Sequence, residues 1–360
     1  MQTQIRCMLM RGGTSKGAYF LAQDLPEEPE LRDHVLLAVM GSPDTRQIDG
    51  IGGGNSLTSK VAIVQKSERK DTDIDYLFAQ VSVDHARVDY GQNCGNILAG
   101  VVPFAIERGL INPQDDQTVV TVFMENTQQY ARVTIKTSGS RLEYAGSTYI
   151  DGVPEPAAEI ILEFKNIEGS TCGSLLPTDQ PIDLIDGINV TCIDNGMPIV
   201  LINATDLGCT GYESKQELDQ NEDLKQKLEK IRLEAGKCMH LGDVSHKTIP
   251  KMCLISAAQS DNCINTRFFI PHQCHNTIGV FAAISVARAC VLNGSIAQTV
   301  ANVPADTLEK RLVIEHPSGH FTVFLRVDDT GKIKGCGFIR TARALFDGLV
   351  LIPERIWKKH

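Results

Sequence analysis

Two side chains in this 360-residue sequence, the amine of Lys60 and the thiol of Cys94, are of types that move protons near neutral pH once their surroundings adjust them. Cys94 opens the stretch NCGNILAGVVPFAIERGL, residues 93–110, which carries no charge until Glu107 and Arg108. A thiol and small polar residues ahead of such an apolar run predict a buried helix whose first N–H groups are open to a site. That end of a helix favours negative charge, the anionic form of a nearby thiol included. Lys60 lies in the apolar run SLTSKVAIV. A lysine there either snorkels outward or points into a site, where desolvation favours the neutral amine, a usable base.

Around this pair stand residues suited to holding an anion. RGGTSKG offers backbone amides together with Thr14, Ser15 and Lys16, and GGGNS offers Gly53, Gly54, Asn55 and Ser56. Neither matches G-x-x-x-x-G-K-[ST], so a nucleotide P-loop is not expected. Gly95 and Asn96 follow the thiol. In the second half, QCHNTIGVFAAISVARACVL begins with His275, Asn276 and Thr277, read as helix-start donors to a carboxylate. HQCH, residues 272–275, clusters donors without a second cluster at ligand spacing, so no metal is expected, and nothing calls for another cofactor. Arg340 in FIRTAR fits an anion partner and a structural salt bridge equally.

The elements that would position these groups occur twice. IRCMLMRGGTSKGAYFLAQDL reads as strand, glycine-rich turn and strand, followed by a short helix over residues 26–40 and a strand starting near Lys60. VTCIDNGMPIVLINATDL mirrors the first segment when Asp206 is set on Asp24. HKTIPKMCLIS mirrors LTSKVAIVQ when Lys251 is set on Lys60, and QCHN mirrors NCGN when Cys274 is set on Cys94. Three correspondences in order indicate a duplicated domain. The Gly-, Ser- and Pro-rich stretch IEGSTCGSLLPTDQPIDLIDG marks a boundary near residue 184, giving domains 1–184 and 185–360, with the last residues free to pack back on the first. The charged run from Glu213 reads as a solvated surface helix. The end reads as a hairpin with a DTG turn, then a basic turn and a closing strand. Two β-rich halves, each with one apolar helix, predict an α+β protein with sheets wrapped around a central helix.

Composition narrows the function. The chain is 42% hydrophobic and 22% charged, and length alone favours two domains. Net charge −9 and a single Trp argue against nucleic acid as a partner. No apolar run is long enough to span a bilayer, and MQTQIRCMLMRGG lacks a signal-type apolar region. Eleven scattered cysteines without a CxxC suit reduced thiols in the cytoplasm.

At RGGTSKG, IDGIGGGNSLTSK, GSPD, NCGN and the terminal RTARALFDG, the sequence resembles the PrpF family of carboxylate isomerases over nearly its whole length. Within that family, GAYFLAQDL, GNILAGVVPFAIERGL and IPHQCHNTIGVFAA resemble the 4-oxalomesaconate tautomerase branch most, with 2-methylaconitate and 3-methylitaconate isomerases as relatives. The resemblance implies the diaminopimelate-epimerase-like fold: two similar domains, each a β-barrel-like sheet around a central helix, with an active site between them. It also implies a cofactor-independent isomerase acting by 1,3-proton transfer on a small anionic di- or tricarboxylate, and it is compatible with a homodimer. The family's catalytic lysine and cysteine map onto Lys60 and Cys94. Epimerases of the same fold use a cysteine from each domain. Cys274 sits near the second place, but in this family that cysteine is not the accepted partner, and its role stays open. A non-catalytic carboxylate-binding protein on the same scaffold and an amino-acid epimerase are the competing readings.

Overall fold

The computed structural model describes residues 1–91, 93–165, 167–304, 308–329 and 332–358. The first half contains strands β1 (Gln2–Gly12) and β2 (Ser15–Leu21), helix α1 (Pro29–Met40), strands β3 (Lys60–Lys66), β4 (Ile74–Val81) and β5 (Val88–Asp89), and helix α2 (Gly95–Glu107). Strands β6 (Gln117–Met124), β7 (Gln129–Ser138), β8 (Arg141–Leu142) and β9 (Ile160–Phe164) complete it. The second half runs β10 (Asp183–Ile185), β11 (Ile188–Asp194), β12 (Pro198–Asn203), α3 (Lys215–Gln220), α4 (Glu222–Cys238), β13 (Lys251–Ser256) and β14 (Ile264–Phe269). It continues with α5 (Val280–Cys290), β15 (Glu309–His316), β16 (Gly319–Val327) and β17 (Ile333–Arg340), and the chain closes with β18 (Ala342–Pro353). The expected DTG turn includes residues 330 and 331, outside the described residues.

Two compact units result, Met1–Lys165 with Ile339–His360, and Asn166–Phe338. Their edge thus falls before the Gly- and Pro-rich stretch rather than near residue 184. The C-terminal strand belongs to the first unit because β18 pairs antiparallel with β1 along its length, from Gln2↔Pro353 to Gly12↔Ala342.

In the first unit the pairings are β1–β2 antiparallel, β2–β3 parallel, β3–β4 antiparallel, β4–β6 parallel, then β6–β7 and β7–β9 antiparallel. In the second, β11–β12, β12–β13, β13–β14, β14–β15, β15–β16 and β16–β17 repeat that succession of directions. The repeated order is the structural counterpart of the sequence repeat, and the fold class is α+β.

Each unit has one apolar helix against its sheet. Residues 97–105 of α2 are all buried, Pro103 among them, and α2 packs on β1, β2, β3, β4, β7, β9 and β18. A helix apolar all round has no face for water, so it becomes the centre of its unit. In the second unit α5, with only Val280, Phe281 and Arg288 not fully buried, packs on β11, β12, β15 and β16. A second helix joins a further core cluster in each unit. Val35, Leu36, Val39 and Met40 of α1 cluster with Ile5, Phe20, Val61 and Ile63.

In the second unit that place is taken by α4, and the expected solvated helix is corrected there. The charged run divides into α3 and α4 at Asn221, whose side chain caps α4 by accepting from Leu224 N at 3.0 Å. Leu224, Leu228, Ile231 and Ala235 recur at three- and four-residue spacing and are buried among Val190, Val200, Met252 and Leu254. The polar face had masked the apolar stripe.

Candidate active site

Glycines bring the β1–β2 turn onto the start of α2. A Cβ on Gly12 would overlap the Asn96 carbonyl oxygen. Gly13 has a φ of +52°, and a Cβ there would overlap the Asn96 side chain. A side chain on Gly17 would lie 2.7 Å from the Lys60 carbonyl oxygen and 3.0 Å from Ile97 Cδ1, so the Lys60 strand and the first turn of α2 meet across it. Tyr19 pins the helix from the same strand, its hydroxyl donating to Ile97 O at 2.6 Å.

Cys94 is the N-cap of α2, half-buried, with extended backbone (φ −126°, ψ 103°) and no side-chain capping bond. The helix therefore begins one residue after the thiol, as the sequence indicated. Asn96, in the first turn, accepts from Arg340 Nε at 2.8 Å and donates to Thr14 Oγ1 at 3.0 Å. Arg340 is 8% exposed and also donates to Ile339 O at 2.8 Å. Burial pushes its pKa down to about 10, an effect opposed by the nearby Cys94. It is still a cation at neutral pH and places positive charge at the start of α2.

Lys60 is buried, and its Nζ donates to Gln80 Oε1 at 2.6 Å and lies 5.1 Å from the centre of the Phe78 ring. Gln80 is directly opposite on β4 and is itself fixed, Nε2 donating to Ser59 O at 2.9 Å and to Ser56 O at 3.1 Å. The amine is thus held by a neutral acceptor and an aromatic face, with no carboxylate partner among the described residues. Gln80 was not apparent in the sequence. Only the β3–β4 register reveals it, because residues 60 and 80 share one face.

A cavity of about 800 Å³ in the same unit is lined by Thr14, Ser15 and Lys16, and by Arg11, Thr58, Arg343 and the segment from Gly152 to Ala157. Lys60 and Cys94 are not in its walls, although Thr58 stands two residues from the first and Thr14 bonds the residue two beyond the second. Not every amide expected to hold an anion is open. Gly13 N donates to Thr341 O and Lys16 N to Leu57 O, each at 2.9 Å. In the GGGNS loop, Gly54 N donates to Gln47 Oε1 at 2.9 Å, while Asn55 accepts from Leu57 N and Thr58 N. A Cβ on Gly53 would overlap the Thr58 side chain, and Ser56 gives its carbonyl to Gln80.

In the second unit the expected helix start is corrected. Helix α5 begins at Val280, with Gly279 as N-cap, so His275, Asn276 and Thr277 precede it in a turn. Cys274 forms a bridge with Phe269 and donates its N–H to Asp219 Oδ1 at 2.7 Å; Asn276 O accepts from Ser318 Oγ at 2.7 Å. These bonds hold the segment non-helical past the point where the first half turns helical. The His275 ring is occupied locally, 3.0 Å from Thr277 N. Burial pushes the Cys274 thiol up to about 11, a poor setting for proton exchange at neutral pH. Lys251 is buried, and its burial and the charge of Arg232 lower its pKa. Among the described residues no group of three or more His, Cys, Asp and Glu could hold a metal, and no helix is long and apolar enough to cross a membrane.

The chain is similar to known proteins over nearly its whole length. The family model described as PrpF protein matches residues 2–353. A 4-oxalomesaconate tautomerase from Pseudomonas putida is 59% identical over 99% of this chain and 98% of its own. A (4E)-oxalomesaconate Delta-isomerase from Novosphingobium sp. is 54% identical over 96% of this chain and 97% of its own. The crystal structure of a methylitaconate-delta-isomerase is similar with a TM-score of 0.91 at 32% identity, covering 100% of this chain and 98% of that one.

Proposed function

This chain belongs to the PrpF family, and from that membership we propose that it is an isomerase that tautomerises 4-oxalomesaconate by 1,3-proton transfer. The observation that carries the reading is the high identity, over almost the full length, to two enzymes named for oxalomesaconate. The substrate's chemistry fits the site. Oxalomesaconate, by its name, is mesaconate bearing an oxalo group, so one carbon lies between a ketone and a double bond conjugated to a carboxylate. A proton lost from that carbon leaves a delocalised dienolate, and returning it at another atom of the conjugated system completes the isomerisation. No electron is gained or lost overall.

Lys60 is the base in this account and Cys94 the proton donor, the roles exchanging in the reverse direction. Support comes from the neutral acceptor that holds the amine, the position of the thiol ahead of α2, and the Arg340 cation close by. A dienolate spreads negative charge toward its carboxylates, and fixed dipoles and cations stabilise it in proportion to that development. Eleven free cysteines fit a reducing compartment, and we place the enzyme in the cytoplasm.

A panel assay separates this reading from its neighbours. With oxalomesaconate, 2-methylaconitate and 3-methylitaconate supplied in parallel, kcat/KM should be highest for oxalomesaconate, by about tenfold or more, the scale on which one additional polar contact discriminates. Preference for methylitaconate, or binding without turnover of any of the three, would contradict it.

A further inference from the structure

Three cations stand side by side at the end of the first unit's sheet. Arg11 on β1 is directly opposite Arg343 on β18 and directly opposite Lys16 on β2. Like charges in directly opposed positions destabilise a sheet, their Cβ atoms being only about 5 Å apart. Neither Lys16 nor Arg343 has a carboxylate partner among the described residues, and of Arg11 only Nη1 is committed, to Gly13 O and to Thr341. The chain as a whole carries net charge −9, so this row is a local concentration of the rarer sign.

All three residues line the 800 Å³ cavity, in which Glu155 is the only acidic residue among the described residues. Ser15 lines it too, and its hydroxyl is buried with no hydrogen-bond partner although the residue is 2% exposed. A row of repelling cations and an unsatisfied hydroxyl share one ligand requirement, an anion with several acceptor oxygens.

We infer that this cavity is a carboxylate subsite, in which Lys16, Arg343 and Ser15 hold the carboxylates of the substrate farthest from the carbon that loses its proton. The inference rests on the tricarboxylate reading above. It assigns Lys16 and Arg343 to substrate choice rather than to proton transfer, and makes the row the feature that distinguishes a tricarboxylate from a dicarboxylate. The walls lead toward the chemistry at two points, through Thr14 to Asn96 and through Thr58 to the Lys60 strand.

The test uses the full-length enzyme with Lys16→Ala, Arg343→Ala and Arg343→Lys. For oxalomesaconate, each alanine variant should raise KM about tenfold or more, as expected for loss of one charge-assisted contact, with kcat within about threefold of the parent. Arg343→Lys should recover part of the loss. Without ligand, the alanine variants should melt at the parent's temperature or above it, because a like-charge neighbour has been removed. A merely structural row would instead lower the melting temperature and leave KM alone. Calorimetry with tricarballylate and with succinate gives a second readout independent of turnover. The alanine variants should weaken tricarballylate about tenfold or more and succinate much less. If the parent turns over none of the three acids, the reaction assignment fails while the calorimetry still decides the subsite. Unchanged KM together with unchanged tricarballylate binding overturns the subsite, whatever the reaction.

Discussion

Lys60→Ala and Cys94→Ala should each reduce turnover about 10²-fold or more while the protein stays folded and continues to bind its substrate. That is the usual contribution of one positioned acid or base. An isomerisation that removes a proton at one carbon and delivers one elsewhere needs two groups in reach. In the first unit, the Lys60 carbonyl and the Ile97 side chain come together at Gly17, which sets the strand that carries the lysine beside the helix that the thiol caps. Neither alanine should collapse the fold. Among the described residues the Lys60 amine is tied to Gln80 and the Phe78 ring, and Cys94 caps α2 without a side-chain bond. Substrate affinity should change far less than kcat, because Lys16, Arg343 and Ser15 are untouched. Steady-state kinetics on the purified variants, with circular dichroism as a check on folding, decide it. A folded Lys60→Ala enzyme with near-parental kcat would mean that another group takes the proton.

Gly12→Ala should be nearly as damaging, although it adds one methyl group and removes no functional atom. The added Cβ would overlap the carbonyl oxygen of Asn96, a backbone atom that no rotamer change moves aside. Either the β1–β2 turn or the first turn of α2 must therefore shift. Overpacking of this kind costs about 1–3 kcal/mol of stability. The catalytic cost is larger in proportion, since Cys94 sits at the displaced helix start and a misplacement of about 1 Å can lower a rate on the order of 10²-fold. Thermal unfolding should show a lower melting temperature, and kcat should fall without a matching rise in KM. A variant with parental stability and kcat would show that the contact between Gly12 and Asn96 does not set the geometry.

Much of this organisation was readable in the residues. The apolar run after Cys94 was enough to place α2, because a helix with no polar face has to be central. The ordered correspondences between halves reappear as one succession of parallel and antiparallel pairings. What escaped depends on long-range register. Gln80 becomes the partner of Lys60 only when β4 lies antiparallel to β3, and Arg343 joins Arg11 only because the last strand returns to the first. The α5 start was misplaced for a different reason. QCHN and NCGN are similar words, but QCHN is held by Asp219, Phe269 and Ser318, partners that NCGN lacks among the described residues. The apolar stripe of α4 was hidden by the abundance of charge between its members. The glycines of RGGTSKG permit close backbone approach, and at Gly12 and Gly13 that approach is to Asn96.

The central claim is that Lys60 and Cys94 move a proton on a bound carboxylate, and solvent deuterium incorporation followed by proton NMR tests it most directly. With the parent enzyme in deuterium oxide, oxalomesaconate should lose the signal of its acidic C–H as isomerisation proceeds. With Lys60→Ala that loss should slow about 10²-fold or more while the substrate still binds. Substrate bound by the parent enzyme with no exchange and no isomerisation would contradict the account, as would exchange at the parental rate in folded Lys60→Ala.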